Sequence, residues 1–276
     1  MKLAINAWSV PADVTFPDLF KQIAAAGYDG IELNLDADNQ SAHALTMATT
    51  HEALKQITSL SASFQLPVCS VSSSLYGRAQ LGSADPEERR RGQDILRRHL
   101  ELARALSADT ILVVPGGISE SVDRVTAYAQ AQASLAQLKD EIESSGVAVG
   151  LENVWNSFFL SPSDMVQFID QLDSPAIGAY FDVGNVAVFS YPEHWIEMLG
   201  QRIKKIHIKD FRKGASWYQG HFVNLYEGSI NWSRVINALR DVGYDGWLTA
   251  ELGTIPQNPQ YLYRITIDAM RCMISK

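Results

Sequence analysis

Eight short apolar runs alternate with eight longer amphipathic stretches along the 276 residues, and no other feature constrains the fold as much. The runs are 3–8 (LAINAW), 30–35 (GIELNL), 68–74 (VCSVSSS), 110–116 (TILVVPG), 148–153 (AVGLEN), 177–183 (IGAYFDV), 203–210 (IKKIHIKD) and 246–252 (GWLTAEL). Each has the length and apolar content of a buried strand. Helical patterns cover 17–26, 48–64, 86–106, 122–145, 163–171, 192–200, 232–242 and 259–274. Ser161-Pro162-Ser163-Asp164 reads as a helix start. Gly27, Gly146 and Gly243 follow helices, where a left-handed residue is favoured. With no linker or low-complexity segment, the α/β alternation predicts a single (β/α)8 TIM barrel over residues 1–276. A doubly wound open sheet is the alternative, but no G-x-G-x-x-G follows the first strand.

Charge and cysteine usage narrow the function. A net charge of −8 argues against a nucleic-acid partner, which calls for a basic face. Two distant cysteines, Cys69 and Cys272, imply neither a disulfide framework nor a cysteine zinc site. The opening MKLAINAWSV enters a strand at once, without the basic and apolar regions of a signal peptide. No apolar run approaches the ~20 residues that span a bilayer. The expectation is a cytoplasmic enzyme with no membrane partner.

Four of the runs carry a polar residue at or near their C-terminal end: Glu152, Asp182, His207 and Glu251. Strand side chains alternate in direction, so their neighbours reveal their face. Val149 and Leu151 face the helices, which turns Glu152 inward; Phe181 and Val183 do the same for Asp182. Ile206 and Ile208 turn His207 inward with Lys205 and Lys209, and Leu248, Ala250 and Leu252 turn Glu251 inward. Four such residues on consecutive strands converge on the barrel mouth, where active sites are built. Three carboxylates and an imidazole suit a hard divalent ion with open positions, Mn²⁺ first, with Mg²⁺, Co²⁺ or Zn²⁺ as alternatives. The same parity turns Asn6, Glu32 and Asn34 inward, and Trp8 ends the first run. Asn6, Trp8, Glu32 and Lys209 are therefore candidates to line a substrate pocket.

Two connections, 36–47 and 211–229, are long for a compact domain, which marks them as functional. The second carries Arg212, Lys213, Trp217, Tyr218 and His221, and reads either as a lid whose cations meet a phosphate or sugar hydroxyls or as a solvated loop whose aromatics pack on the barrel rim. Asp210 is either a partner of His207 or a loop anchor.

The motifs GLEN, FDVGN, HIKD and AEL, in this order and spacing, resemble the xylose isomerase-like barrels of the sugar phosphate isomerase/epimerase superfamily. Within it the chain is most similar to ketose and L-ribulose-5-phosphate 3-epimerases. The resemblance implies that Glu152, Asp182, His207 and Glu251 ligate the metal, with Glu152 and Glu251 as the acid/base pair. It places Asn185 where tagatose-type epimerases carry a His, and Lys213, beside Arg212, where they carry an Arg; both are candidate substrate contacts. The implied partner is a small sugar or sugar phosphate, and the implied assembly a homo-oligomer, dimer or tetramer. Alternatives on this scaffold are an aldose–ketose or hydroxypyruvate isomerase, an inosose-type dehydratase and a non-catalytic sugar-binding barrel. An endonuclease IV-type nuclease needs extra His ligands where this chain has Ser72–Ser74 and Pro115-Gly116.

Overall fold

The barrel strands are β1 (Lys2–Asn6), β2 (Gly30–Leu35), β3 (Val68–Ser73), β4 (Thr110–Val113), β5 (Ala148–Glu152), β6 (Ile177–Asp182), β7 (Ile203–Ile208) and β10 (Trp247–Ala250). In this computed structural model, which describes residues 1–216 and 218–275, they close in the order β1-β10-β7-β6-β5-β4-β3-β2. The seam is a parallel pairing of Lys2 with Trp247 through Ile5 with Ala250. Closure settles the choice left by the sequence, a barrel rather than an open sheet. Among the described residues, no helix is long and apolar enough to cross a membrane.

Local chemistry sets where the elements begin and end. Helix α6 (Pro162–Leu172) starts with a capping box: the Ser161 hydroxyl accepts from the Asp164 amide, and the Asp164 carboxylate accepts from the Ser161 amide. Helix α1 (Phe16–Ala26) stops at Gly27, whose φ of 88° is left-handed. The helical pattern over 122–145 is two helices, α4 (Arg124–Gln137) and α5 (Lys139–Ser145), broken at Leu138. The first strand is shorter than its apolar run. The Asn6 side chain accepts a 2.7 Å bond from the Trp8 amide and turns Ala7–Ser9 into a 3-10 segment.

The largest departure lies in 203–229. Strand β7 ends at Ile208, and Asp210–Lys213 (β8) pairs antiparallel with Gly220–Val223 (β9). The long connection is thus a β-hairpin standing on the barrel mouth; Trp217 lies outside the described residues. Asp210 anchors it and is not a partner of His207. Its buried carboxylate accepts from the amides of Phe211 (2.8 Å), Tyr226 (3.0 Å) and Gly228 (3.1 Å) and from Trp232 Nε1 (2.9 Å). The 36–47 connection folds back on the barrel rim. His43 bridges the carbonyls of Val14 (2.7 Å) and Ala7 (3.1 Å), and Leu45 pairs with Leu35.

Candidate active site

Four adjacent strands, β5, β6, β7 and β10, carry Glu152, Asp182, His207 and Glu251 to one point. Each side chain offers one ligand atom, and these atoms all lie within 4.8 Å of one another. Glu152 and Glu251 belong to the outer strands of the four, so they approach from opposite sides, with Asp182 and His207 between them. Glu251 sits one residue beyond its strand and is partly exposed, whereas Asp182 and His207 are buried.

Asp182 closes β6 and also caps the short helix α7 (Val183–Ala187). Its Oδ1 accepts a 2.7 Å bond from the Asn185 amide. Its Oδ2 is buried and has no hydrogen-bond partner, although Lys209 Nζ lies 2.9 Å away at an angle that makes only an ion pair. One oxygen is therefore used by the fold and the other faces the cluster. Asn153 of β5's end holds the strand edges together, accepting from the Asp182 amide and donating to its carbonyl, both at 2.9 Å.

His207 is oriented from below. Its Nε2 lies 2.6 Å from Glu32 Oε1; because a carboxylate only accepts, Nε2 carries the proton. That leaves Nδ1 facing Glu152 (3.4 Å), Glu251 (3.6 Å) and Asp182 (3.8 Å). Glu32 in turn accepts from Asn6 Nδ2 (2.5 Å), Ser70 Oγ (2.6 Å) and the Tyr180 hydroxyl. Burial opposes its ionisation, but His207, Ser70 and Tyr180 outweigh that and bring its pKa down to about 2. A carboxylate–histidine pair of this kind fixes a metal-binding imidazole and raises its basicity.

Lys209 completes the inner charge balance. Its Nζ lies 2.5 Å from Glu251 Oε2, and the surrounding carboxylates hold its pKa well above the usual lysine value despite burial. The two outer glutamates differ in environment. Burial pushes Glu152 above the ordinary carboxylate range; at Glu251, Lys209 and His207 outweigh burial and push it below. Ligands about 2.1 Å from a common ion stand at most about 4.2 Å apart. The observed spread needs only small side-chain movements to match, and Asp182 Oδ2, buried with no hydrogen bond and only the Lys209 ion pair, is available as a ligand. The residues fit a divalent cation.

The site opens into a cleft of about 590 Å³ lined by Trp8, Lys209, Phe222, Asn224, Glu227, Glu251 and the 252–255 segment. Trp8 is fixed by its Nε1, which donates to Asp36 at 2.9 Å. Of the residues read from the sequence, Trp8 and Lys209 line this cleft, while Asn6 and Glu32 lie beneath the cluster and orient it. Asn185 is buried, donating to the Asn153 carbonyl at 2.9 Å. Arg212, Lys213 and His221 sit exposed on the hairpin and are not among the lining residues. Arg212 donates twice to the Glu227 carbonyl (3.0 and 2.7 Å), and Lys213 lies over the Tyr191 ring. Sequence reading missed Asn153, Asp36, Phe222 and Asn224. Asp36 shares the parity of Glu32 and Asn34, so extending the alternation by one step finds it. The hairpin residues carry no such signal.

Relatives agree with this architecture. Fructoselysine 3-epimerase of Escherichia coli O157:H7 is 23% identical over 263 residues, 92% of either chain. L-ribulose-5-phosphate 3-epimerase UlaE of Salmonella typhi is 22% identical over 247 residues, 88% of this chain and 84% of that one. The crystal structure of D-psicose 3-epimerase in the presence of D-fructose superposes over the full length of both chains with a TM-score of 0.79 at 18% identity. The family model for the xylose isomerase-like TIM barrel matches residues 20–272. From the closed ring of strands to the span of that match, the chain belongs to the xylose isomerase-like TIM barrel family.

Proposed function

We propose that this protein is a metal-dependent ketose 3-epimerase, an isomerase that exchanges the proton on the carbon next to a ketose carbonyl. The observation that carries the reading is the placement of Glu152 and Glu251 on opposite sides of one cluster. Three epimerases among the relatives and structural neighbours support it. Glu152, Asp182, His207 and Glu251 hold the ion, with Mn²⁺ the assigned metal. When bound it supplies Lewis acidity, polarising the ketose carbonyl and stabilising negative charge on oxygen.

The chain's own groups do the rest. One glutamate removes the C3 proton with its outer oxygen, and the other returns a proton to the opposite face; the roles exchange in the reverse direction. Lys209, beside Glu251, places a positive charge where the substrate oxygens gather. Trp8 and Phe222 wall the cleft and limit water.

Incubating ketoses in D₂O with Mn²⁺ tests this. Deuterium at C3 with inverted configuration is expected, and chelation should abolish it. An aldose product would assign an isomerase moving protons between C1 and C2, and loss of a hydroxyl would assign a dehydratase.

A further inference from the structure

The two cations that the sequence offers for a phosphate are turned elsewhere. Arg212 donates from Nε and Nη2 to the Glu227 carbonyl, and Lys213 lies 4.8 Å over the Tyr191 ring. That bond also fixes the segment that carries Glu227 to the cleft wall. The Glu227 carboxylate meets only a 3.4 Å contact from Asn224 Nδ2, and no ion pair reaches it among the described residues. Among the described residues, the one cation lining the cleft, Lys209, stands at the inner end between Asp182 and Glu251. A phosphate on the terminal carbon of a ketose would lie several bonds further out.

Trp8 and Thr254 line both this cleft and a second cavity of about 460 Å³. Its polar wall is Asp36, Gln40, Ser41, His43 and Ser74. His43 lies within hydrogen-bond distance of two backbone carbonyls, and among the described residues no lysine or arginine lines this second cavity. The outer wall of the cleft itself carries the Glu227 carboxylate and the Asn224 amide, polar groups suited to sugar hydroxyls. An anion beside Glu227 would meet that exposed carboxylate, while Arg212 already donates to the Glu227 carbonyl.

We propose that the substrate is an unphosphorylated ketose and that Glu227 excludes terminally phosphorylated ones. This rests on the epimerase reading above, and its test separates the two. Wild type, Glu227→Gln and Glu227→Lys are compared for deuterium exchange into ketopentoses, ketohexoses and their terminal phosphates. In parallel, inorganic phosphate binding is titrated calorimetrically without any sugar. Wild type should favour the free ketose about fivefold in kcat/KM, as expected for one solvent-exposed charge a few ångströms away. Glu227→Lys should narrow or reverse that ratio, with Glu227→Gln intermediate, and added KCl should shrink the differences. A wild type that handles phosphates as well as free ketoses, or a ratio unmoved in Glu227→Lys, overturns the proposal. If no sugar exchanges deuterium in any variant, the epimerase reading falls and the titration still decides this one. Phosphate binding gained only in Glu227→Lys supports it; phosphate held equally by wild type overturns it.

Discussion

At the scale of single residues, Glu32 determines what His207 can do. By accepting the Nε2 proton it turns Nδ1 toward the three other cluster residues. Replacing it with Gln leaves the shape but removes the charge and lets the amide present a donor. Glu32→Gln should therefore weaken divalent-metal affinity about 10- to 100-fold with little change in fold. Metal titration beside circular dichroism checks this, and undiminished affinity would show that Glu32 is dispensable. Glu152→Gln and Glu251→Gln should each lower epimerisation about 10³-fold. Near-normal C3 exchange in either variant would refute the two-carboxylate reading. These residues were legible because strand parity has a period of two and each polar side chain interrupts an otherwise apolar run. Tyr180 and Asp182 share a face for the same reason, though not the fact that the Tyr180 hydroxyl reaches Glu32 on the far side of the barrel.

At the scale of elements, the hairpin β8–β9 depends on one buried side chain. Asp210→Ala would orphan the amides of Phe211, Tyr226 and Gly228 and the indole of Trp232. A loss of about 3 kcal/mol is expected, since buried donors left unpaired cost about 1–3 kcal/mol each and some would regain water. Urea unfolding measures it; a cost under about 1 kcal/mol would mean that the loop is held by other contacts. The aromatic stack of Trp155 on Phe222, centroids 5.0 Å apart, should loosen with it. None of this could be read from 211–229. A loop has no fixed period, and which way Arg212 or Lys213 points depends on a turn and on a distant tyrosine. Seven barrel strands were legible to within two residues at either end, whereas β4, read as 110–116, ends at Val113. Asn6 ends β1 through a side-chain bond that an apolar pattern does not encode.

For the molecule as a whole, acid stability carries the mark of a second histidine. His99 is buried, donating Nε2–H to the Val71 carbonyl (3.0 Å) and accepting at Nδ1 from the Tyr76 hydroxyl (3.2 Å). Burial pushes its pKa down to about 3. Unfolded, it titrates near its ordinary value of about 6.5. Between these values the unfolded chain binds a proton that the native state does not. Its contribution to stability is therefore complete above about pH 6.5 and falls as the pH drops toward 3, by about 1.4 kcal/mol per unit. Unfolding of wild type and His99→Gln at pH 7 and pH 5 isolates this share: the stability gap between them should narrow at the lower pH. A constant gap would mean that His99 charges normally in the native state.

The seam where Lys2–Ile5 meets Trp247–Ala250 has a consequence for the order of events in synthesis. The first strand pairs with β2 on one side but has no second neighbour until residues 247–250 have been made. Such distant pairing is slow to form. Glu251 lies just past the strand that closes the ring, so no partially translated chain can assemble all four ligands. On the proposed reading, metal capture and chemistry would begin together when the ring closes, and a nascent barrel would be spared a half-built acid/base pair.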